Sequence, residues 1–451
     1  MVATRFVYLI ILAVLLISTP HSQAKPSKVT IKKLTGEYQL FVNSHPFHIK
    51  GAGLSYNDGH NFKALTQAGG NSFRTWGTHY ADIELEKAQE LGLMVMMGID
   101  VEKELHGFDY NDDAAVAKQF ESVKQQVLKY KDHPNILGWM IANEPNLLMN
   151  EDGSLKLVNP KVYQALSDII DFIHEVDPNH PVSYSFAGVI PEHIHTAMQY
   201  TPQVDFISVQ VYGDLIDLQD KIAALNIDKP FMVTEFGPLG HWERPATAWG
   251  REIEEPSGIK ARTFAERIQQ GIAKNTSGKL IGHYAFEWGQ KQERTPTWYG
   301  MFTKDGKATA RIDELTKFWT GNYPANRAPY VTSIHLNGLM AEQNVRLPLG
   351  AMANIEVAYS EYDGDAFNIR WQLLKEVDVK SQGGAFEQEP DEVALTISAP
   401  KETKQENGST KVSATFKAPE TSGDYRLFFY IDDGKEKVGY ANFPFYVEYN
   451  L

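Results

Sequence analysis

Two glutamates end apolar runs in this sequence in the same manner. In "WMIANEPN" (139–146) the run stops at Asn143-Glu144, and Pro145, which has no N–H to give to a ladder, turns the chain away. In "PFMVTEFGP" (230–238) the run delivers Glu235 just before Gly237-Pro238. A carboxylate on the last residue of an otherwise apolar strand is a side chain presented at a rim. Two such carboxylates facing one cleft suit the cleavage of a glycosidic bond. One, protonated, donates to the leaving oxygen, and the other, ionised, meets the developing oxocarbenium ion.

Whether the two can meet depends on the elements between them. Short apolar runs at 47–50, 72–75, 93–99, 136–142, 182–186, 204–211, 231–234 and 281–286 alternate with helix-period segments at 83–91, 114–130, 162–176 and 260–274. Eight strands alternating with helices over about 250 residues is the arithmetic of a (β/α)8 TIM barrel, an α/β fold. The competing doubly wound sheet gains nothing from Gly51-x-Gly53, because Tyr56 stands where a dinucleotide fingerprint needs its third glycine. Glu144 ends the fourth strand and Glu235 the seventh, about three strand-helix units of roughly 30 residues later, so both point into one mouth at the C-terminal face. Ahead of the barrel, "GEYQLFVNSHPFHIKG" reads as a hairpin about Asn43-Ser44-His45-Pro46. Past Trp319, "TGNYPANRAPY" is a linker, and only strand-like runs follow, at 331–336, 353–359, 368–374, 393–397, 411–416, 425–431 and 441–447. Trp371 inside one run and Tyr425 at the start of another resemble the buried tryptophan and tyrosine corner of an immunoglobulin-like sandwich lacking its disulfide. The expected organisation is an export signal at 1–24, a catalytic barrel at 25–322 and a C-terminal all-β immunoglobulin-like sandwich at 323–451.

The segments "FVNSHPFHIKG", "GGNSFRTWG", "LGLMVMMGI" and "YKDHPNILGWMIANEPN" resemble the catalytic barrel of glycoside hydrolase family 2, within clan A of the retaining (β/α)8 glycoside hydrolases. The similarity runs from about residue 29 to 319, and Asn-Glu-Pro after "HPNILGW" is its most specific part. The resemblance implies Glu144 as acid/base and Glu235 as nucleophile, with Asn143 on the sugar 2-hydroxyl and Arg74 beneath the nucleophile. It further implies Tyr212 as a hydrogen-bond donor to Glu235 and Trp288 as the floor under the reacting sugar. A preference for β-linkages comes from the same source.

Sugar C–H faces stack on aromatic rings, which makes the aromatics after the strands substrate-binding candidates: Trp76, His79 and Tyr80, then Trp242 and Trp249, then Trp298 and Tyr299. The long 237–258 segment is expected to wall the cleft. The net charge of −14 argues against nucleic acid and anionic membrane surfaces as partners. Arg5, the apolar run 6–17 and Ser22-Gln23-Ala24 read as a cleaved signal, placing the protein in the periplasm or outside the cell, with no further membrane segment. The sequence has no cysteine, which excludes disulfides and thiolate chemistry. His193-Ile194-His195 lacks an evident third ligand, so neither metal nor cofactor is expected. The reading is therefore an exported glycosidase acting on a β-linked glycan. Its alternatives are a glucan transglycosylase on the same barrel and a non-catalytic carbohydrate-binding protein.

Overall fold

The computed structural model describes residues 25–56, 61–150 and 153–449; the expected export signal lies outside them. Eight strands close into a parallel barrel: β1 (Gly51–Gly53), β2 (Ser72–Arg74), β3 (Met94–Ile99), β4 (Ile136–Asn143), β5 (Val182–Ala187), β6 (Ile207–Gln210), β7 (Phe231–Phe236) and β8 (Leu280–Ala285), with β8 pairing back to β1. These strands are apolar along nearly their whole length because both faces are covered, one by the barrel interior and one by the surrounding helices. Among the described residues no helix is long and apolar enough to cross a membrane.

The first strand corrects the sequence expectation. The run at 47–50 is irregular, and the barrel strand is the glycine-containing Gly51–Gly53 that follows it. Side chains are excluded there by close packing: a Cβ on Gly51 would lie 2.4 Å from the Tyr284 ring, and one on Gly53 2.8 Å from the Trp76 ring. Hydrophobic periodicity cannot register a three-residue strand that has a glycine at each end and a single methyl between them. The hairpin is also one strand richer than expected. Val29–Leu34, Glu37–Val42 and His45–Pro46 form an antiparallel sheet. Its two-residue turns, Thr35-Gly36 and Asn43-Ser44, have positive φ at all four positions, as the twist of such hairpins demands. Val29 and Leu40 of this sheet pack with Ile49, Met96, Met140 and Met232, sealing the barrel floor opposite the carboxylates.

After the helix Ala310–Thr320 the described chain is β apart from one helical turn, Ala341–Gln343. The strands are β9 (Tyr330–Leu336), β10 (Arg346–Pro348), β11 (Met352–Ser360), β12 (Asn368–Lys375), β13 (Glu392–Val393), β14 (Lys401–Lys404), β15 (Thr410–Lys417), β16 (Gly423–Asp432) and β17 (Val438–Glu448). One sheet has the order β9-β11-β15-β14 and the other β10-β17-β16-β12-β13, with inward residues of both meeting in a shared core. β10 and β14 carry little apolar patterning, and the sequence reading missed both. The expected strand at 393–397 shrinks to Glu392–Val393 plus a single bridge at Ile397. Tyr425 is buried and its hydroxyl donates to the Thr421 carbonyl at 3.0 Å, whereas Trp371 is only partly buried, against Phe429.

The two units are joined through buried polar groups. Glu254 accepts from Lys260 at 2.5 Å and from Asn442 at 2.6 Å; the Tyr440 hydroxyl donates to the Thr297 carbonyl at 2.9 Å; and Lys437 pairs with Asp313 at 2.5 Å. Removing one partner of such a pair strands the other charge in a low-dielectric interior. Asp313→Ala is therefore expected to cost about 3–5 kcal/mol, read as a lowered urea midpoint. An unchanged midpoint would show that the ammonium finds solvent when its partner is gone.

Candidate active site

Both glutamates leave the barrel at breaks in strand register. On β4 the pairing with β5 slips between Met140 and Asn143, and Ala142 and Glu144 both have positive φ, at 62° and 53°. On β7 the pairing slips between Val233 and Glu235 against β6, and between Val233 and Phe236 against β8. A bulge inserts a residue and re-aims the side chains beyond it, and left-handed backbone at non-glycine residues is held only where the surroundings enforce it. Enforcement on β4 comes from the Glu144 N–H to the Ser185 carbonyl at 2.9 Å, the Leu147 N–H to the Glu144 carbonyl at 3.0 Å, and the buried Asn146. Asn146 accepts from the Ala187 N–H at 2.8 Å and donates to the Ala187 carbonyl at 3.2 Å, locking the β4 loop to the end of β5. His193, read as half of a possible metal pair, instead packs beside Asn146 at 3.2 Å.

The Glu235 carboxylate rests on four donors. Oε1 accepts from Trp76 Nε1 at 2.8 Å, Gln210 Nε2 at 2.9 Å and an Arg74 guanidinium nitrogen at 3.1 Å. Among the described residues, Oε2 accepts from the Tyr212 hydroxyl alone, at 3.1 Å. Burial raises the Tyr212 pKa, with Glu235 adding to the rise, so the phenol keeps its proton to donate. With Oε1 saturated, Oε2 retains the lone-pair capacity for an incoming electrophile. Arg74 also donates to the Thr234 carbonyl at 3.1 Å and to Asn143 Oδ1 at 3.1 Å. Gln210 donates to the same Asn143 oxygen, which leaves the Asn143 amide N–H groups for the cleft.

Glu144 stands in a different environment. Burial, the largest cause, pushes its carboxyl up to about 7; Lys103 pulls the other way, while the charge of Glu235 adds to the rise. Two carboxyls in one cleft are thus separated in role by their surroundings, one cradled by donors and one partly stripped of water.

The cleft is about 1000 Å³ and is lined by Asn143, Glu144, Glu235, Tyr212, Trp76 and Trp242 among others. Trp242 is 62% exposed, its ring meeting Tyr212 edge-on at 5.4 Å. Arg74 lies buried directly beneath. Two expected residues fall elsewhere. Trp288 is fully buried behind the barrel, stacked on Trp319 at 6.0 Å, its indole N–H donated to the Asn61 carbonyl at 3.0 Å. Its backbone N–H donates to the Gly53 carbonyl, and the aromatic that lines the cleft is Phe286, just past the end of β8. His79 is exposed on the β2 loop, edge-on to Tyr80 and outside the cleft lining. Of the remaining loop aromatics, Tyr299 lines the cleft, Trp298 supports it, and Trp249 packs instead on Tyr446 of the C-terminal unit. Gln210, Asn146, Lys103 and Phe286 were not singled out from the sequence. Only Gln210, a polar residue closing an apolar strand, carried the signal that marked Glu144 and Glu235.

A family model described as glycosyl hydrolases family 2, TIM barrel domain, matches residues 38–322. The chain belongs to glycosyl hydrolase family 2. It is similar to a beta-glucuronidase of Streptococcus agalactiae, 22% identical over 62% of this chain and 51% of that protein. It is also similar to a probable mannan endo-1,4-beta-mannosidase C of Aspergillus terreus, 29% identical over 26% of this chain and 35% of that protein. Among solved structures, a calcium-binding mutant of Bacteroides uniformis beta-glucuronidase 2 shares the fold with a TM-score of 0.51 at 14% identity, over 93% of this chain and 48% of that one. The chain spans about half of the length of the S. agalactiae protein and about a third of the A. terreus one.

A titration of Glu144, taken as the carboxyl infrared difference between the wild type and Glu144→Gln, is expected to give a pKa of about 7. Lys103 stabilises the charged carboxylate, so Lys103→Met must move that value upward. A downward or absent shift would mean that the ammonium does not act on Glu144.

Proposed function

We propose that this protein is an exported, retaining β-glycosidase that hydrolyses O-glycosidic bonds of a β-linked glycan by double displacement. The observation that carries the reading is the contrast between Glu144, held up at about 7, and Glu235, cradled by four donors across the same cleft. Glu144 enters the cycle protonated and gives its proton to the leaving oxygen as Glu235 Oε2 attacks the anomeric carbon. Glu144, now ionised, then takes a proton from water, which attacks the same carbon and releases Glu235. Asn143 offers its amide to the sugar 2-hydroxyl, and Trp76, Phe286 and Trp242 supply apolar faces for the ring. Both the β-glucuronidase and the endo-β-mannosidase that the chain resembles are named for β-linked sugars, which supports that anomer. The hydrogen bond of Tyr425 to Thr421 supports an immunoglobulin-like reading of the C-terminal unit. Export rests on the sequence pattern of residues 1–24.

The test is turnover of a panel of β-glucans, β-mannans, β-galactans, xylans and aryl β-glycosides. Glu144→Gln is expected to lower kcat by about 10²–10⁴-fold, least for substrates with good leaving groups, because only poor ones need the proton. Glu235→Gln is expected to lose at least about 10³-fold for every substrate. Near-wild-type turnover by either folded variant would overturn the assignment.

A further inference from the structure

We propose that the C-terminal unit is part of the active site and blocks one end of the cleft, so that the enzyme removes units from a chain terminus and does not cut within chains. The proposal rests on the glycosidase reading above. Glu144 leaves β4 and Glu235 leaves β7 of the closed barrel. A saccharide held between them crosses the line joining those strands. One of its ends lies over β5 and β6, and the other over the arc from β8 through β1 and β2 to β3.

That second arc is where the C-terminal unit intrudes. Residues 381–385, from the connection between β12 and β13, line the cleft, and they are the part of that unit that does so. The segment is fastened on both sides. Toward β8, the buried Glu387 carboxylate accepts from the Arg294 backbone N–H at 2.6 Å, the Arg294 guanidinium at 3.0 Å and Gln292 at 3.0 Å, while Lys291 reaches the Gly384 carbonyl at 3.4 Å. Toward β3 and β4, the backbone of Gly383 presses on the loops after those strands: a Cβ there would lie 2.7 Å from a Leu105 methyl and 3.0 Å from a Leu147 methyl. Arg294 also contacts His241 at 2.9 Å, carrying the wall on to the loop after β7. Over β5 and β6 the cleft is lined by barrel residues such as Gly188, Val189 and Asp214.

Docking of the two units does not require this arrangement. The Glu254–Asn442 and Asp313–Lys437 contacts join them without lining the cleft. A groove open at both ends takes the interior of a polymer; one blocked at an end takes a terminus.

The experiment follows early products from 2-aminobenzamide-labelled hexasaccharides of the β-glucan, β-mannan, β-galactan and xylan series. It compares the full chain with a variant lacking residues 382–385 and with Glu387→Ala, their folding checked by thermal unfolding. The wild type is expected to shorten its substrate by one fixed unit per event from the earliest time point, and a folded variant to gain internal cuts that give several product lengths at once. Several lengths from the wild type at first sampling would overturn the proposal, as would folded variants that both keep the single-step pattern. Those outcomes leave turnover intact; loss of the glycosidase reading itself would show instead as no turnover of any hexasaccharide or aryl glycoside, and would remove this proposal with it.

Discussion

A guanidinium sealed beneath the cleft organises everything above it. Arg74 is buried at the end of β2, where a lone charge would be prohibitively unfavourable without a counter-charge and acceptors for its N–H groups. Those partners come from across the barrel: Glu235 and the Thr234 carbonyl on β7, and Asn143 on β4. One side chain thereby fixes where two strands must end and which way their last residues face. The burial of Arg74 lowers its own pKa, and Glu235 beside it acts in the opposite direction. The Glu235 charge that answers Arg74 also reaches Glu144, where it adds to the effect of burial. The two carboxyls are linked through the same buried cation.

Geometry at the strand ends serves this arrangement at a local cost. Regular pleating would alternate side chains between the barrel interior and the helices, and could not present consecutive residues to one cleft. The register slips on β4 and β7, with left-handed backbone at Ala142 and Glu144, give Asn143 and Glu144 a shared mouth with Glu235. Such backbone persists because Asn146 and the end of β5 hold it. Pro145 contributes by denying the strand any continuation, which is the physical sense of the Asn-Glu-Pro sequence.

Much of this was legible in the sequence because it rests on periodicity and on polar residues interrupting apolar runs. The seven barrel strands with side chains to bury stood out, as did Glu144, Glu235, Asn143 and Arg74. What stayed hidden had other causes. The first barrel strand is glycine where rings pack against it, so it leaves no hydrophobic signature. Trp288 and Phe286 are two residues apart, a spacing that regular alternation puts on one face, so the pattern cannot separate the ring that lines the cleft from the one that is buried. Lys103 acts through space from a loop whose composition reads as solvated and acidic. The intrusion of residues 381–385 depends on how two units dock, a relation that no local pattern in either encodes.

The most direct measurement traps the nucleophile. A 2-deoxy-2-fluoro β-glycoside with an activated leaving group slows breakdown of a glycosyl-enzyme more than its formation, and peptide mass spectrometry then locates the sugar. An adduct on the peptide at Glu235, absent from Glu235→Gln, is the expected result. An adduct on Glu144, or steady turnover with no adduct and inverted product configuration, would contradict the roles given to the two carboxylates.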